Sequence, residues 1–255
     1  MAVCTNSVIH YTKGSDDLSG IDVLKKILRE GFIPKCCEEM ILKGDEKISM
    51  NIAEVSFCDI PFSQISEHIS AYGSYAIGLT KDWARSKGLS PVIYITKDSI
   101  IQRALIDILE TTKNIVKEVP GIAPYGLNYI HNANVILGFF KYESAPLYRK
   151  KKKIEDNYFY YKEREWRYVV NPIEFEEGII WGEQITKIQE RNERLKDSCY
   201  RLGFQIEDIS YIIVEKENEI PDMVSFVKEL YKGKSTEIDI LLTKITSMER
   251  IKSDY

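Results

Sequence analysis

The stretch Val8-Ile9-His10-Tyr11-Thr12 decides the class of fold, because its β-branched and aromatic residues predict a strand and the signals of a helix follow it directly. Ser19 is a suitable helix N-cap and Gly31 a suitable helix end. Between them, apolar residues recur at helical spacing: Ile21, Leu24, Ile27 and Leu28. The chain therefore opens with a strand that is followed by an amphipathic helix.

The rest of the chain continues to mix the two kinds of element. Composition predicts strands at residues 52–57, 76–79, 91–95, 165–170, 209–214 and, in the tail, 238–245. Capping and helical spacing predict helices at residues 61–69, 83–88, 99–118, 132–142, 183–201 and 223–231. We predict a loop with at most short structure at residues 32–50. With no repeat, linker or break in composition, the sequence predicts one α+β domain over residues 1–255, with a core at about 8–215 and a helix and strand extension at 216–255.

Composition limits the classes of function. The 255 residues are 44% hydrophobic and carry a formal net charge of -4, which argues against a surface that coats polyanions, although a local basic patch could still touch nucleic acid. No run approaches the roughly 18 apolar residues that cross a bilayer. The first residues lack the pattern of a secretory signal, so we expect a cytoplasmic protein with no membrane contact.

Residue counts and motifs argue against several chemistries. The five cysteines and three histidines show neither a CxxC pair nor a regular metal-ligand spacing, so we expect neither a disulfide framework nor a bound metal. The sequence contains no GxGxxG, no GxxxxGKS/T and no GxSxG. These absences argue against Rossmann and P-loop nucleotide sites and against a serine hydrolase.

His10 is the first candidate site residue. Alternate side chains of a strand share a face, so His10 and Thr12 lie on the same face and together could hold a ligand rich in hydroxyl groups. The alternative is a structural histidine that is satisfied by a backbone partner.

The segment Glu163-Arg164-Glu165-Trp166-Arg167 is the second candidate. Strand alternation places Glu163 and Glu165 on one face. Glu165 enters an apolar run, which makes it the better candidate for a buried carboxylate that binds a sugar hydroxyl or stabilises developing positive charge. The alternative is a solvated ladder of charged pairs between strands.

Three further features have a structural interpretation, and two of them also have a functional one. Tyr72 and Tyr75 flank a Gly-Ser turn and could stack on a flat ligand or pack as a lid. Asp59 stands before Pro61, where a helix cap is the plain explanation. Residues 149–161 join five consecutive basic residues to aromatic ones, a composition that suits phosphates and bases and equally suits a solvated loop.

The central part of the chain resembles a known family. The sequence FCDIPFSQI at residues 57–65 and YGSYAIGLTKDWA at residues 72–84 resembles the AbiGi family of bacterial abortive phage-resistance proteins. The resemblance extends to residues 9–12 and 163–167 and covers roughly residues 8–215. It implies phage defence by the antitoxin-like member of a two-protein system, and therefore a cognate toxin or antitoxin partner.

A more distant resemblance suggests a mechanism. An early strand with His, aromatic residues in the middle and a late strand with Glu are similar to the His-Tyr-Glu order of ADP-ribosyltransferases, whose fold has mixed and antiparallel sheets with flanking helices. The resemblance implies NAD as the substrate, held by His10, Tyr11 and Thr12. Tyr72 or Tyr75 would pack on the nicotinamide ring.

The same resemblance assigns the catalytic and acceptor residues. Glu165, together with His10, would be catalytic, because a carboxylate stabilises the oxocarbenium-like sugar that remains when nicotinamide departs. A nucleic-acid or protein acceptor would be bound by the segment before this glutamate: Arg149, Lys150, Lys151, Tyr160 and Glu163. The leading hypothesis is thus a phage-defence ADP-ribosyltransferase, and the alternative is a non-catalytic antitoxin that binds a toxin.

Overall fold

The computed structural model describes residues 5–15, 17–43, 46–65, 69, 72–119, 123–149, 152–171, 179–182 and 184–254. The chain forms two compact units, each assembled from separate stretches of sequence. The first unit comprises Met1–Ile33, Ser56–Leu89 and Arg201–Tyr255, and the second comprises Pro34–Val55 and Ser90–Tyr200. Each contains strands and helices, which confirms the α+β class. That there is one domain, and that the sheets follow the ADP-ribosyltransferase arrangement, both stay predictions.

The elements found within the described residues are as follows. The strands are β1 (Ser7–Thr12), β2 (Lys35–Lys43), β3 (Glu46–Cys58), β4 (Tyr75–Thr80), β5 (Ser90–Pro91), β6 (Ile93–Ile95), β7 (Phe140–Tyr142), β8 (Ala145–Arg149), β9 (Lys152–Tyr158), β10 (Glu165–Val169), β11 (Ile180–Trp181), β12 (Ile209–Val214) and β13 (Ile245–Ser247). The α-helices are α1 (Gly20–Glu30), α2 (Lys81–Ser86), α3 (Ile100–Glu118), α4 (Ala123–Gly138), α5 (Ile185–Arg194), α6 (Ile220–Leu230), α7 (Ser235–Leu242) and α8 (Met248–Asp254). No helix in these ranges is both long enough and apolar enough to span a membrane.

The first unit is built on β1. This strand pairs antiparallel with β4 along its whole length, from Ser7 opposite Thr80 to Thr12 opposite Tyr75. Beyond β4 follow β12, which is antiparallel, and β13, which is parallel to β12. The end of β3 lies on the other side of β1. Strand β1 therefore has a hydrogen-bonded neighbour on each side, and its side chains are buried or half-buried on both faces.

Helix α1 follows β1 for the reasons that the sequence indicates. The Ser19 hydroxyl accepts a hydrogen bond from the Asp22 N–H, which satisfies one of the unpaired donors of the first turn. The helix stops at Gly31, whose φ of 80° disfavours residues with a side chain. Leu24 and Leu28 bury the apolar face.

The second unit is built on the long strand β3. Strand β2 pairs antiparallel with it from Lys43 opposite Glu46 to Lys35 opposite Glu54. On the other edge, β10 lies beside β3 and in turn pairs with β5. Residues of α3, α4, β3 and β7 supply its core, which includes Met50, Ile52, Leu105, Leu137 and Phe140. This arrangement brings charged residues of β2, β3, β7 and β10 to one place.

Several sequence predictions of secondary structure are wrong. Residues 32–50 are not mainly loop, because β2 and β3 pair there over a long register, and pairing overrides weak local preference. Residues 238–245 do not form a strand, since α7 covers most of them and buries Ile238 and Leu241, three residues apart, on one helical face.

Other predictions hold only in part. The helix predicted at residues 132–142 ends at Gly138, and β7 follows it. In the segment predicted as helix 61–69, a short 3-10 helix covers Phe62–Gln64, and residues 66–68 lie outside the described residues. The predictions at residues 99–118 and 209–214 are confirmed by α3 and β12.

Candidate functional site

Six ionisable side chains of the second unit meet in its interior. We call them the charge cluster: Glu39 on β2, Glu54 on β3, Lys141 on β7, Glu163 on the short 3-10 helix Tyr160–Glu163, and Glu165 and Arg167 on β10. Four of them, Glu54, Glu163, Glu165 and Arg167, are buried. Burying a charge is costly unless opposite charges and hydrogen bonds compensate it, so the pairing within this cluster decides what it can do.

Arg167 is the centre of the charge cluster. Its side chain is 0% exposed. Nε donates to Glu165 Oε1 at 2.8 Å and Nη2 to Glu39 Oε1 at 2.6 Å. Nε also lies 3.0 Å from Glu54 Oε2, and Nη1 donates to the Gly138 carbonyl at 2.8 Å. One guanidinium therefore joins carboxyl groups from three strands, as its forked donors allow.

Lys141 is the second cation of the charge cluster. Its Nζ donates to Glu165 Oε2 at 2.7 Å and to Glu163 Oε2 at 3.1 Å. It lies 3.8 Å from Glu39 Oε1 and 4.8 Å from the centre of the Tyr160 ring. Burial alone would lower the pKa of the Lys141 ammonium, but the three carboxylates outweigh burial and raise it. Lys141 is therefore charged at neutral pH.

Glu165 is ionised although it is buried. Burial by itself would raise the pKa of its carboxyl group, but Arg167 and Lys141 outweigh burial and hold that pKa well below its usual range. Its backbone N–H donates to the Tyr94 hydroxyl at 2.9 Å. Each carboxylate oxygen already accepts a hydrogen bond from a cation of the cluster.

Glu54 behaves in the opposite way. Burial, which the nearby Arg167 only partly offsets, raises the pKa of Glu54 to about 8. This carboxyl group therefore holds a proton at neutral pH. Two buried glutamates on neighbouring strands thus differ in charge because one faces two cations and the other shares one cation with competing carboxylates.

A cavity of about 130 Å³ borders the charge cluster. Its walls come from β2, β3, β7, β8 and the Tyr160 turn: Glu38, Glu39, Met40, Lys47, Lys141, Tyr142, Ala145, Tyr148 and Tyr160. Glu39 and Lys141 thus belong both to the cluster and to the cavity wall. Buried partners hydrogen-bonded to these two side chains fix their positions from behind the wall.

The structure places His10 in the first unit, in the middle of β1. Its Nδ1 lies 2.8 Å from the Ser56 carbonyl oxygen, which can only accept, so Nδ1 carries the donated proton. The ring stands edge-on to Phe32 and Phe57, with centroid separations of 5.0 and 5.6 Å. These contacts are the ones expected if His10 is a structural histidine that is satisfied by a backbone partner.

The two residues after His10 are buried. Tyr11 and Thr12 are each 9% exposed. Burial raises the pKa of the Tyr11 phenol above its ordinary value, because the phenolate would lose its hydration. Since His10 belongs to the first unit and Glu165 to the second, a common NAD site stays a prediction.

The two tyrosines predicted to pack on nicotinamide have different surroundings. Tyr72 is 38% exposed. The Tyr75 hydroxyl donates to Glu219 Oε1 at 2.7 Å, and the Tyr75 ring packs against Gly20, where no side chain would fit. The contacts of Tyr75 are those of a residue that ties α1 to the segment before α6.

The predicted acceptor residues are divided. Tyr160 and Glu163 belong to the surroundings of Lys141 and lie in a 3-10 helix, so Glu163 is not on the strand face predicted for it. Arg164, in the left-handed conformation with φ 42°, separates that helix from β10. Arg149 ends β8, whereas Lys150 and Lys151 lie outside the described residues.

Asp59 is not a helix cap. Its Oδ1 accepts from the Thr5 N–H at 2.7 Å, and its Oδ2 accepts from Lys81 Nζ at 2.6 Å. The carboxylate therefore joins the start of the described chain to the beginning of α2. The sequence could not indicate this role, because the partners are far from Asp59 along the chain.

Sequence reasoning missed four members of the charge cluster: Glu39, Glu54, Lys141 and Arg167. Arg167 had a usable signal, because it follows Glu165 at the spacing that shares a strand face. The other three come from distant segments, and Glu39 falls in residues predicted as loop. The solvated ladder of charges is wrong for Glu163, Glu165 and Arg167, all of which are buried.

Comparison with known proteins identifies the family. Residues 30–215 match the family described as "Putative abortive phage resistance protein AbiGi, antitoxin". The chain is 27% identical over 248 residues to the abortive phage resistance protein AbiGi of Lactococcus lactis subsp. cremoris. The aligned region covers 89% of this chain and 91% of that protein. No solved structure matches the chain. The chain belongs to the AbiGi family of abortive phage-resistance proteins, as the resemblance in the sequence predicted.

Proposed function

We propose that this chain is the antitoxin of a two-protein abortive-infection system and that it acts by binding its toxin, a protein. Family membership supports this proposal, because the description of the matched family names an antitoxin, and an antitoxin requires a toxin partner. The relative from Lactococcus lactis is named for phage resistance, which is the setting in which such a pair acts.

The geometry around Glu165 favours toxin binding over ADP-ribose transfer as the function. Its Oε1 accepts from Arg167 and its Oε2 from Lys141, at 2.8 and 2.7 Å. A carboxylate stabilises a new positive charge most strongly when no other cation already neutralises it. With two cations in contact, the arrangement around Glu165 is that of a residue that holds strands together.

The surface of the second unit supports binding to a protein. Helix α3 carries Ile101, Ile108 and Ile115 at seven-residue intervals, with exposures of 50%, 52% and 41%. Residues spaced in this way lie along one side of a helix. A row of exposed isoleucines is typical of a surface that another protein covers.

Expression of the chain together with the toxin of its own pair tests the proposal. Wild type should restore growth to cells that make the toxin and should co-purify with it. The double substitution Ile101→Lys with Ile115→Lys should weaken toxin binding by at least about tenfold, because it places charges in an apolar contact. Lys187→Glu, an exposed charge change on α5, is the matched control and should leave binding unchanged. A chain that by itself arrests growth and depletes NAD would contradict the proposal.

One feature favours the transferase hypothesis: Arg167 and Lys141 outweigh burial and lower the pKa of Glu165, which favours an ionised carboxyl group. An ionised carboxylate is the form that stabilises an oxocarbenium-like sugar. Incubation of the purified chain with labelled NAD and cell extract, beside Glu165→Gln, tests it. Consumption of NAD by wild type and not by the variant would favour transfer over toxin binding. We expect neither protein to consume NAD.

A further inference from the structure

The cavity beside the charge cluster has a size that suits a small ligand. Its volume is about 130 Å³. An engineered protein cavity of about 150 Å³ accepts benzene, so this one accommodates a planar group of a few heavy atoms. Residues of β2 and β8, both within the second unit, contribute to its walls.

The charges around the cavity do not balance. The cavity wall and the charge cluster together contain five carboxyl groups and three cations: Glu38, Glu39, Glu54, Glu163 and Glu165, with Lys47, Lys141 and Arg167. Burial keeps Glu54 protonated at neutral pH. Among these side chains, of which Glu38 and Lys47 are exposed, one negative charge therefore remains without compensation, and a single monocation would compensate it.

Two carboxylates offer acceptor oxygens at the cavity wall. Glu39 uses Oε1 for both Arg167 and Lys141, and within the described residues its Oε2 has no partner. The Glu39 side chain is 18% exposed and borders the cavity. The neighbouring Glu38 accepts from the Ser49 hydroxyl at 2.9 Å through Oε1. The wall therefore presents acceptors to a donor that enters the cavity.

Aromatic rings complete the wall and select the kind of cation. Tyr148 and Tyr160 each border the cavity and each attract an ammonium group, Lys47 at 4.7 Å and Lys141 at 4.8 Å from the ring centre. Rings that attract cations in this way also stack on planar ones. The described residues contain no group of acidic, Cys or His side chains arranged to hold a metal ion. A planar organic cation fits these walls better than a metal does.

We propose that this cavity binds a guanidinium group, which donates to Glu39 and stacks on a tyrosine of the wall. A guanidinium has parallel N–H donors that match a carboxylate, a flat face for a ring and the single positive charge that the surroundings lack. Two sources supply this group, a free small molecule and an arginine side chain of a protein. The inference goes beyond the antitoxin role and does not depend on it.

Titration of the purified full chain with methylguanidinium, followed by amide NMR shifts, tests the proposal. We expect saturable shifts at the cavity residues with a dissociation constant of about 1 mM, as one charged contact and one stacking contact provide. Methylammonium has the same charge without the plane and should bind at least about threefold more weakly. Glu39→Gln should weaken the binding of methylguanidinium by about tenfold, and the exposed control Glu190→Gln should leave this binding unchanged.

Because Glu39 also pairs with Arg167, Glu39→Gln could unfold the second unit, and two variants at more exposed positions guard against that outcome. Glu38→Gln and Tyr148→Leu should each weaken binding about threefold with an unchanged melting curve. Tighter binding of the peptide Ala-Arg-Ala than of agmatine would indicate a protein arginine, and the reverse a small molecule; both support the site.

Two results would overturn the site. One is the absence of any shift in wild type up to about 20 mM methylguanidinium. The other is equal binding by wild type and the folded variants. Neither result would touch the toxin assay, which uses α3 and a different readout, so failure of this site and failure of the antitoxin proposal are distinguishable.

Discussion

His10 in the first unit and Arg167 in the second are both strand residues with polar heads set among apolar neighbours, yet the fold accommodates them differently. His10 donates to a backbone carbonyl and stands edge-on to two phenyl rings. Arg167 contacts three carboxyl groups and a carbonyl. A polar group without a permanent charge leaves water at little cost when local hydrogen bonds satisfy it, whereas a permanent charge needs a network that recruits residues from several strands. Charge, more than polarity, determines how much of the fold a buried residue organises.

The largest expected effect is that of Arg167→Met. Removal of the guanidinium leaves Glu39 and Glu165 with Lys141 as their only nearby cation in the cluster, and we expect a loss of about 3–5 kcal/mol in the free energy of unfolding. Urea unfolding followed by circular dichroism measures it. Arg194→Met, at an exposed position on α5, is the control and should change stability by less than about 0.5 kcal/mol. A loss below about 1 kcal/mol for Arg167→Met would mean that the cluster does not hold the strands together.

Lys141→Met should have the next largest effect. It leaves Glu163 Oε2 and Glu165 Oε2 without their ammonium donor, while Arg167 still contacts Glu165. We expect a loss of about 2–3 kcal/mol in the same urea experiment, with Lys187→Met on α5 as the exposed control. If Lys141→Met lost as much free energy of unfolding as Arg167→Met, the claim that Arg167 contributes most to the stability of the charge cluster would be contradicted.

The pH dependence of stability should carry the signature of Glu54. Its pKa is raised to about 8 in the folded protein, from an ordinary value of 4.5, mainly by burial. Between these values the folded state binds a proton that the unfolded state releases, so stability is fully present below the lower value and is lost as the pH rises through about 8. Glu165 acts in the opposite sense, since its lowered pKa removes stability as the pH falls below the ordinary range.

Glu54→Gln measures this signature. The variant keeps the shape of a protonated carboxyl group and cannot titrate. Between pH 6 and pH 8, wild type should lose stability relative to the variant by about 1 kcal/mol per pH unit, as seen in urea unfolding at each pH. Parallel pH profiles for the two proteins would show that Glu54 is ionised in the fold.

The smallest effect is expected for His10→Leu. The substitution keeps an apolar body beside Phe32 and Phe57 and removes one hydrogen bond to Ser56, so we expect a loss of about 1 kcal/mol. Urea unfolding measures this loss in the free energy of unfolding, which is then compared with the loss for Arg167→Met. A loss of more than about 3 kcal/mol would remove the contrast between the two regions.

Local sequence was informative wherever an element depends on its own residues. Ser19 and Gly31 bound α1 as their capping chemistry predicts, and the apolar period of residues 99–118 corresponds to α3. Glu165 was recognised as a buried carboxylate because a charged residue enters an apolar strand there. The predictions for residues 32–50 and 238–245 are wrong because local sequence does not determine the structure of these segments. The first segment depends on the pairing of β2 with β3, and the second on the burial of one face of α7.

The sequence by itself determined the α+β class, the main strands and helices, the family, and the positions where polar groups interrupt apolar segments. Only the tertiary structure decided that Glu39, Glu54 and Lys141 join Glu165 and Arg167, and that a cavity lies beside them. The physical reason is that strand and helix patterns are local, whereas the charge of a buried group depends on its nearest opposite charges, and strand pairing brings those from distant parts of the chain.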